Sequence, residues 1–157
     1  MFRMMRRSGQ EVSEEHCREI LKTAKRGVLS VVGDEGFPYG LPLNFLYDEE
    51  ANTIWFHCAR TGEKLDAIRR DGRVCFTVWD EEYRKSGDWA WYVTSVIVRG
   101  QAEPVEEPDL LEDRMRTFAM KYCPTEEDIR KEMAALDRVQ LVGIRIGHMT
   151  GKLVHEK

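Results

Sequence analysis

Residues 57–65 form the one stretch of this sequence whose residue types and spacing suggest binding chemistry. A strand-like segment ends at Ala59, the chain turns at Gly62, and a helix-like segment begins with Lys64 in its first turn. Such a turn places free backbone N–H groups and a cation at one helix N-terminus, which suits a phosphate group. A plain strand-to-helix turn with a solvated lysine accounts for the same residues, so the pattern alone leaves both interpretations open.

A phosphate contact of this kind is too weak to hold a ligand alone. A helix N-terminus contributes about 0.3–1 kcal/mol to an anion, whereas micromolar affinity needs about 8 kcal/mol. The ligand must therefore have a large second part that is buried or stacked. Asn44 is a candidate contact for that part, because it lies on the strand face opposite Leu43 and Phe45 and needs a hydrogen-bond partner if it is covered. The aromatic candidates, which core packing would also explain, are Phe45, Trp55, Trp91 and Tyr92.

Several other function classes lack their motifs. The sequence contains no G-x-G-x-x-G, no G-x-x-x-x-G-K-[ST] and no G-x-S-x-G, which argues against dinucleotide-binding, P-loop and serine-hydrolase chemistry. The histidines and cysteines are dispersed, so we predict no metal site. The four cysteines, in segments of apolar or helical pattern, indicate reduced thiols in a cytoplasmic protein; they are Cys17, Cys58, Cys75 and Cys123.

Net charge and hydropathy argue against further classes of protein. The 24 Lys and Arg against 28 Asp and Glu give a net charge of −4, which argues against a nucleic-acid-binding protein. The cluster Arg3, Arg6 and Arg7 keeps that alternative open, although a solvated tail explains it better. No apolar run approaches the roughly 20 residues that a membrane-spanning helix needs. The basic start is followed by no apolar run, so we expect no secretory signal.

The elements that must position these residues follow from periodicity. Apolar residues recur with helical spacing over 13–25, where Ser13 is a plausible N-cap, and again after residues 62, 110 and 125. Alternation predicts six strands, of which the first three form an antiparallel meander. Pro42 places its strand at a sheet edge or at a bulge. The predicted strands cover residues 28–32, 39–47, 53–58, 74–78, 89–102 and 142–146.

These elements indicate one α+β domain that spans residues 1–157 and is mainly β. A chain of 157 residues is long enough for a real hydrophobic core. Because the strands are short, amphipathic and mostly linked as hairpins, a small six-stranded antiparallel barrel with flanking helices is the most economical arrangement.

Five blocks of sequence, in order, resemble one known family. They are residues 37–45 (FPYGLPLNF), residues 55–59 (WFHCA) with Gly62 and Lys64, residues 73–76 (RVCF), residues 95–100 (SVIVRG) and residues 150–152 (TGK). In this order they resemble the pyridoxamine 5′-phosphate oxidase-related FMN-binding split barrels, and within these the nitroimidazole-resistance (Nim-like) branch. The likeness covers nearly the whole chain. Residues 84–91 depart from it, because they lack a cysteine often found in that loop of Nim-like relatives.

The resemblance implies a homodimer with two FMN molecules at the subunit interface, each contacted by both chains. The isoalloxazine and ribityl part would lie against Pro42, Leu43, Asn44 and Phe45. The phosphate end would be surrounded by His57, Cys58, Ala59, Gly62, Glu63 and Lys64. Further contacts would come from Ser95 and Val96, of either the same chain or the partner subunit.

The resemblance also implies an oxidoreductase in which reduced flavin passes electrons or hydride to a small acceptor, as in nitroaromatic or pyridoxamine-phosphate-oxidase-like chemistry. In the Nim-like branch, a histidine at the place of His57 is proposed to act near the flavin. A histidine that only binds phosphate or backbone is the alternative. Because the sequence shows no committed acid, base or nucleophile, a non-catalytic flavin-binding or sensing module remains the alternative function.

Overall fold

The computed structural model describes residues 1–155, so the last two residues of the predicted domain lie outside the described residues. Within residues 1–155 the chain forms nine β-strands and four α-helices. The strands are β1 (Glu11–Val12), β2 (Arg26–Val32), β3 (Pro38–Asn44), β4 (Leu46–Asp48), β5 (Thr53–Ala59), β6 (Arg73–Trp79), β7 (Tyr83–Arg84), β8 (Trp91–Pro104) and β9 (Val139–His155). The helices are α1 (Glu14–Thr23), α2 (Glu63–Arg70), α3 (Pro108–Tyr122) and α4 (Glu126–Met133).

All of these strands join one antiparallel sheet in the order β3-β2-β6-β8-β9-β5-β4, with β1 added to β9 and β7 to β8. The first and last strands of this order, β3 and β4, are consecutive in the chain and separated only by Phe45. The sheet therefore curls round until its two ends meet at Phe45, which we call the corner. This arrangement confirms the predicted antiparallel split barrel with flanking helices.

The described residues form nine strands where six were predicted, and several strand bounds differ from the prediction. The strand predicted over 39–47 is broken at the corner into β3 and β4, and the short strands β1 and β7 were not predicted. Both antiparallel pairings of the predicted meander occur, but different halves of its middle strand make them, since β3 pairs with β2 and β4 pairs with β5. Residues 89 and 90 precede β8, and the last strand extends over seventeen residues. The edge position predicted from Pro42 is confirmed, since β3 ends the strand order.

Two of the helices, α1 and α4, begin where their capping residues predict. The Ser13 hydroxyl oxygen accepts a hydrogen bond from the His16 N–H at 3.2 Å and caps α1. Thr125 does the same for α4 by accepting from the Asp128 N–H at 3.2 Å. Leu136, predicted to continue α4, lies beyond it in a 3-10 turn. The first residues of α1 and α4 are thus set by local hydrogen bonds that the sequence predicts.

The hydrophobic core fills the barrel interior, and a second apolar layer lies outside β5. On β5, Ile54 and Phe56 belong to the interior cluster, which α1 and α2 also join. The alternate residue Trp55 is also buried, although it faces the other way. There it contacts α3, whose Arg114 guanidinium lies 5.5 Å from the Trp55 ring centre. Helix α3 therefore covers the outer face of β5, and both faces of this strand are buried.

Candidate functional site

The barrel is incomplete between β3 and the end of β5. β4 pairs with β5 only from Leu46–Trp55 to Asp48–Thr53, so residues 57–59 pair with β9 alone. β3 likewise pairs with β2 alone. These two edges diverge from the corner, and we call the opening between them the split. Their outer backbone groups take no part in the sheet of the described residues, so they are available to a ligand.

The turn from β5 into α2 lies at the far end of the split. Gly62 has φ +130° and ψ 162°, a conformation that side chains disfavour, and this lets the chain enter the helix directly. The N–H groups of Leu65 and Asp66 bond the Gly62 carbonyl at 3.0 and 3.1 Å. No side chain among residues 1–155 caps the helix. The first N–H groups of α2 therefore remain available to an anion.

Lys64 supplies a positive charge beside this turn. The residue is half-buried, and its ammonium group is close enough to Cys58 to favour the thiolate. Burial has the larger effect and raises the pKa of Cys58, so the thiol stays protonated at neutral pH. The structure thus places Cys58 and Lys64 close together, beside the turn at Gly62.

Asn44 lies at the other end of β3, next to the corner. It is half-buried, and its side-chain oxygen accepts a hydrogen bond from Arg26 Nε at 3.2 Å. Arg26 is also its partner in the strand pairing of β2 with β3. The partner that we expected for a covered Asn44 is therefore Arg26. Beside Arg26 lies an open cavity of about 880 Å³, whose far wall is formed by residues 79–82.

His57 faces away from the barrel interior and packs against α3. Its ring meets Phe118 edge-on, with ring centres 4.9 Å apart. Burial lowers the pKa of His57 below its ordinary value of 6.5, and the nearby Glu132 carboxylate partly opposes this effect. The imidazole is therefore neutral at pH 7. It can donate or accept one proton in a hydrogen bond, but it offers no fixed positive charge to a phosphate.

Two predicted contact residues have side chains inside the core. Phe45 and Val96 are fully buried, so only their backbone can reach a ligand. Ser95 is half-buried on β8, and β9 separates that strand from β5. Within one chain, Ser95 and Val96 therefore lie apart from the split. The residues that one chain brings together there are Pro42, Leu43, Asn44, His57, Cys58, Ala59, Gly62, Glu63 and Lys64.

The family model described as pyridoxamine 5′-phosphate oxidase matches residues 13–153. The chain belongs to this family. The match covers both edges of the split, the corner and the turn at Gly62, and it confirms the family predicted from the five sequence blocks. No curated protein sequence matches the chain.

Solved structures agree with the family's fold. A candidate 5-nitroimidazole antibiotic resistance protein from Bacteroides thetaiotaomicron is 20% identical, with a TM-score of 0.78 over 92% of this chain and 87% of that one. A conserved hypothetical protein from Mycobacterium tuberculosis is 21% identical, with a TM-score of 0.78 over 95% and 90%. An FAD-binding protein from Mycobacterium smegmatis is 21% identical, with a TM-score of 0.63 over 93% and 98%. At these identities the likeness establishes the fold.

The described residues lack two kinds of feature. No helix within residues 1–155 is long and apolar enough to cross a membrane. No group of three or more His, Cys, Asp or Glu side chains among the described residues could hold a metal ion.

The contribution of α3 to the site was not predicted. Phe118 and Tyr122 belong to the apolar residues that recur with helical spacing after residue 110. This spacing predicts a helix, but it does not predict which part of the barrel the helix covers. The signal was available on β5, where Trp55 and His57 alternate with Ile54 and Phe56. A strand that carries large apolar or aromatic residues on both faces is typical of a strand covered on both faces.

Proposed function

We propose that this member of the pyridoxamine 5′-phosphate oxidase family is a flavin-dependent oxidoreductase that binds FMN in the split. Bound flavin would supply the hydride or electron transfer, and a small molecule such as a nitroaromatic would accept it. The observation that carries the proposal is the position of an uncapped helix N-terminus and Lys64 at one end of two unpaired strand edges. This arrangement suits a long planar ligand that ends in a phosphate.

The residues of the split fit the parts of such a ligand. Lys64 and the first N–H groups of α2 would hold the phosphate. The open edges at residues 38–44 and 57–59 offer backbone donors and acceptors along the ligand. Asn44, held by Arg26, would orient the ring system from the other end. Support also comes from structural relatives, one of which is described as an FAD-binding protein.

We also propose a homodimer, because one chain leaves the site incomplete. Ser95 and Val96 lie on β8, away from the split of their own chain. A second copy could place its β8 against the split and cover the ring system. The four cysteines form no disulfide, which supports the cytoplasmic location proposed for this dimer.

The chemistry of the site also favours a second candidate, a flavin-binding module without turnover. His57 is neutral and packed against Phe118, and Cys58 is protonated. At pH 7, His57 is thus no general acid and Cys58 no activated nucleophile. In this alternative the protein stores or senses flavin, and the flavin passes no electrons to an added acceptor.

The test is the visible spectrum of the purified protein, followed by identification of the released cofactor by mass spectrometry. We expect a yellow protein that releases FMN and sediments as a dimer. Reduction of the bound flavin by NADH or NADPH, then reoxidation by a nitroaromatic or a quinone, separates the enzyme from the binding module. A colourless protein whose melting temperature does not rise with added FMN would refute both candidates.

The role of His57 is tested by His57→Ala, with the exposed His16→Ala as the matched control. If His57 acts on the substrate, the variant keeps its FMN and loses turnover. If it only binds the cofactor, FMN is lost as well. His16→Ala should change neither FMN content nor turnover.

A further inference from the structure

The last turn of α3 contacts the corner through two neighbouring side chains. The Phe45 N–H donates to the Tyr122 hydroxyl oxygen at 3.0 Å. The Tyr122 hydroxyl can in turn donate to the carbonyl oxygen of Phe45 or of Lys25, each 2.6 Å away. Tyr122 therefore bonds both backbone polar groups of Phe45, as a neighbouring strand does in the rest of the barrel.

The corner needs such a partner. Phe45 is fully buried and belongs to no strand, since β3 ends at Asn44 and β4 begins at Leu46. A buried backbone N–H or C=O without a hydrogen bond costs about 1–3 kcal/mol. The hydroxyl of Tyr122 thus stabilises the interruption between the two strands and fixes where the interruption lies.

Lys121, the residue before Tyr122, also bonds Phe45 and the segment that precedes β2. Its ammonium group donates to the carbonyl oxygens of Ala24 at 2.9 Å and Phe45 at 3.1 Å. It also lies 4.6 Å from the centre of the Phe45 ring. Because Ala24 lies two residues before the start of β2, Lys121 ties the corner to the strand that carries Arg26, the hydrogen-bond partner of Asn44.

The same helix also determines the position of His57 on the opposite edge of the split. The rings of Tyr122 and Phe118 stack with centres 4.9 Å apart, and Phe118 meets His57 at the same distance. A continuous chain of contacts therefore runs from the corner, through two aromatic residues of α3, to β5.

We propose that Lys121 and Tyr122 are positioning residues of the flavin site, which set the distance between Asn44 and His57 without touching the ligand. The proposal rests on the proposed function, because it assigns these residues to the geometry of that same site. It differs from a purely structural role in one respect. A substitution at Lys121 or Tyr122 must alter the affinity for flavin and the geometry of bound flavin, as well as the stability of the fold.

The test compares Tyr122→Phe with Tyr47→Phe. Tyr122→Phe keeps the ring on Phe118 and removes only the hydroxyl. Tyr47 is a buried tyrosine, and its hydroxyl likewise has a partner, Arg18 Nη1 at 3.2 Å, so Tyr47→Phe is the control. The readouts are the FMN dissociation constant, the visible circular dichroism of bound FMN at saturation, and the melting temperature of the flavin-free protein.

We expect Tyr122→Phe to raise the FMN dissociation constant at least ten-fold and to change the visible dichroism, while Tyr47→Phe changes neither. Lys121→Met should act in the same direction and keeps the test valid if Tyr122→Phe folds poorly. The proposal is overturned if these α3 variants lower the melting temperature but leave FMN affinity and dichroism as in the wild type.

A wild-type protein that binds no flavin would overturn the proposed function instead. Two measurements on the flavin-free protein then decide whether α3 sets the split: the pKa of His57 by NMR and the hydrogen exchange of the Phe45 amide. If α3 sets the split, Tyr122→Phe raises the pKa of His57 and speeds the exchange of this amide, and Tyr47→Phe changes neither. Unchanged values in Tyr122→Phe would show that α3 does not set the split.

Discussion

The closed side of the barrel and the split satisfy buried backbone groups in different ways. On the closed side, β8 and β9 pair continuously from Tyr92–His155 to Pro104–Val142, with one irregularity between Arg99 and Gly100. At the corner, side chains of α3 replace the missing strand. A backbone ladder leaves no free edge, whereas side-chain partners stabilise one residue and leave the edges beyond it open. The candidate site therefore lies where the sheet is incomplete.

The largest effect is expected from Phe45→Ala, because the corner is where the two ends of the sheet meet. Phe45 is fully buried and meets Phe76 edge-on, with ring centres 5.1 Å apart. We expect a loss of about 3–5 kcal/mol in the free energy of unfolding, measured with urea. Phe37→Ala, at a residue that is 73% exposed, is the control and should cost less than about 0.5 kcal/mol. A loss below about 1 kcal/mol at Phe45 would contradict the role of the corner.

On the closed side, Gly100→Ala tests how tightly the ladder is packed. A Cβ atom at Gly100 would overlap the backbone carbonyl oxygen of Arg145 and lie 2.8 Å from Ile144 Cγ2. Because backbone cannot move aside as a side chain can, we expect a loss of about 1–3 kcal/mol in urea unfolding. The same substitution at Gly9, where no atom lies within 4 Å, should be nearly neutral. If the two variants are equally stable, the backbone around Gly100 can shift to make room for a Cβ atom at little cost in free energy.

At the split, Lys64→Ala should separate binding from stability. Lys64 lies on the first turn of α2, and no salt bridge joins it to another described residue. We expect the FMN dissociation constant to rise about ten-fold, or about 1.4 kcal/mol, while the free energy of unfolding changes by less than about 0.5 kcal/mol. The control is Lys22→Ala on α1, which breaks ion pairs with Glu19 and with Glu49 in the turn after β4. If both variants bind FMN equally well, Lys64 is not a phosphate ligand.

The smallest effect is a pH dependence that originates at Lys121. Burial lowers the pKa of Lys121 to about 8, from an ordinary value of 10.5. Between these pH values the unfolded chain binds a proton that the folded chain does not, so the free energy of unfolding rises with pH in this window. Burial raises the pKa of the neighbouring Tyr122 above 10, so it stays protonated over most of the window.

The measurement is the difference in unfolding free energy between the wild type and Lys121→Met, across pH 8 to 10.5. Other titrating groups cancel in this difference. We expect the wild type to gain stability relative to the variant as the pH rises. A constant or falling difference would mean that burial does not lower the pKa of Lys121, and that Lys121 is not held in the buried position described above.

Much of the fold could be predicted because its signals are local. Ser13 and Thr125 are the caps of α1 and α4, and the sequence indicates both directly. Pro42 lacks an N–H group, so its place on an edge strand follows from its chemistry. The turn at Gly62 with Lys64 also lies within a few residues of sequence. These features need no knowledge of distant contacts.

The corner could not be predicted, because the alternation of apolar residues continues through it. Leu43, Phe45 and Tyr47 keep the period of a single strand, yet residues before and after Phe45 pair with different partners. Which strand each half joins is decided by long-range pairing. The contacts of Lys121 and Tyr122 with the corner span 76 and 77 residues, so no local window contains them. The contribution of Ser95 and Val96 would require a second chain.

The position of β9 has a consequence for how this protein folds during synthesis. β9 follows every other described strand in the chain, yet it lies between β8 and β5 in the sheet. Until β9 has left the ribosome, the sheet consists of two separate pieces with exposed edges. One piece contains β3, β2, β6 and β8, and the other contains β5 and β4. The nascent chain therefore depends on its last described strand to join them, and such non-local pairing is slow and prone to aggregation. Cells that translate this protein would need to protect those edges until residues 139–155 emerge.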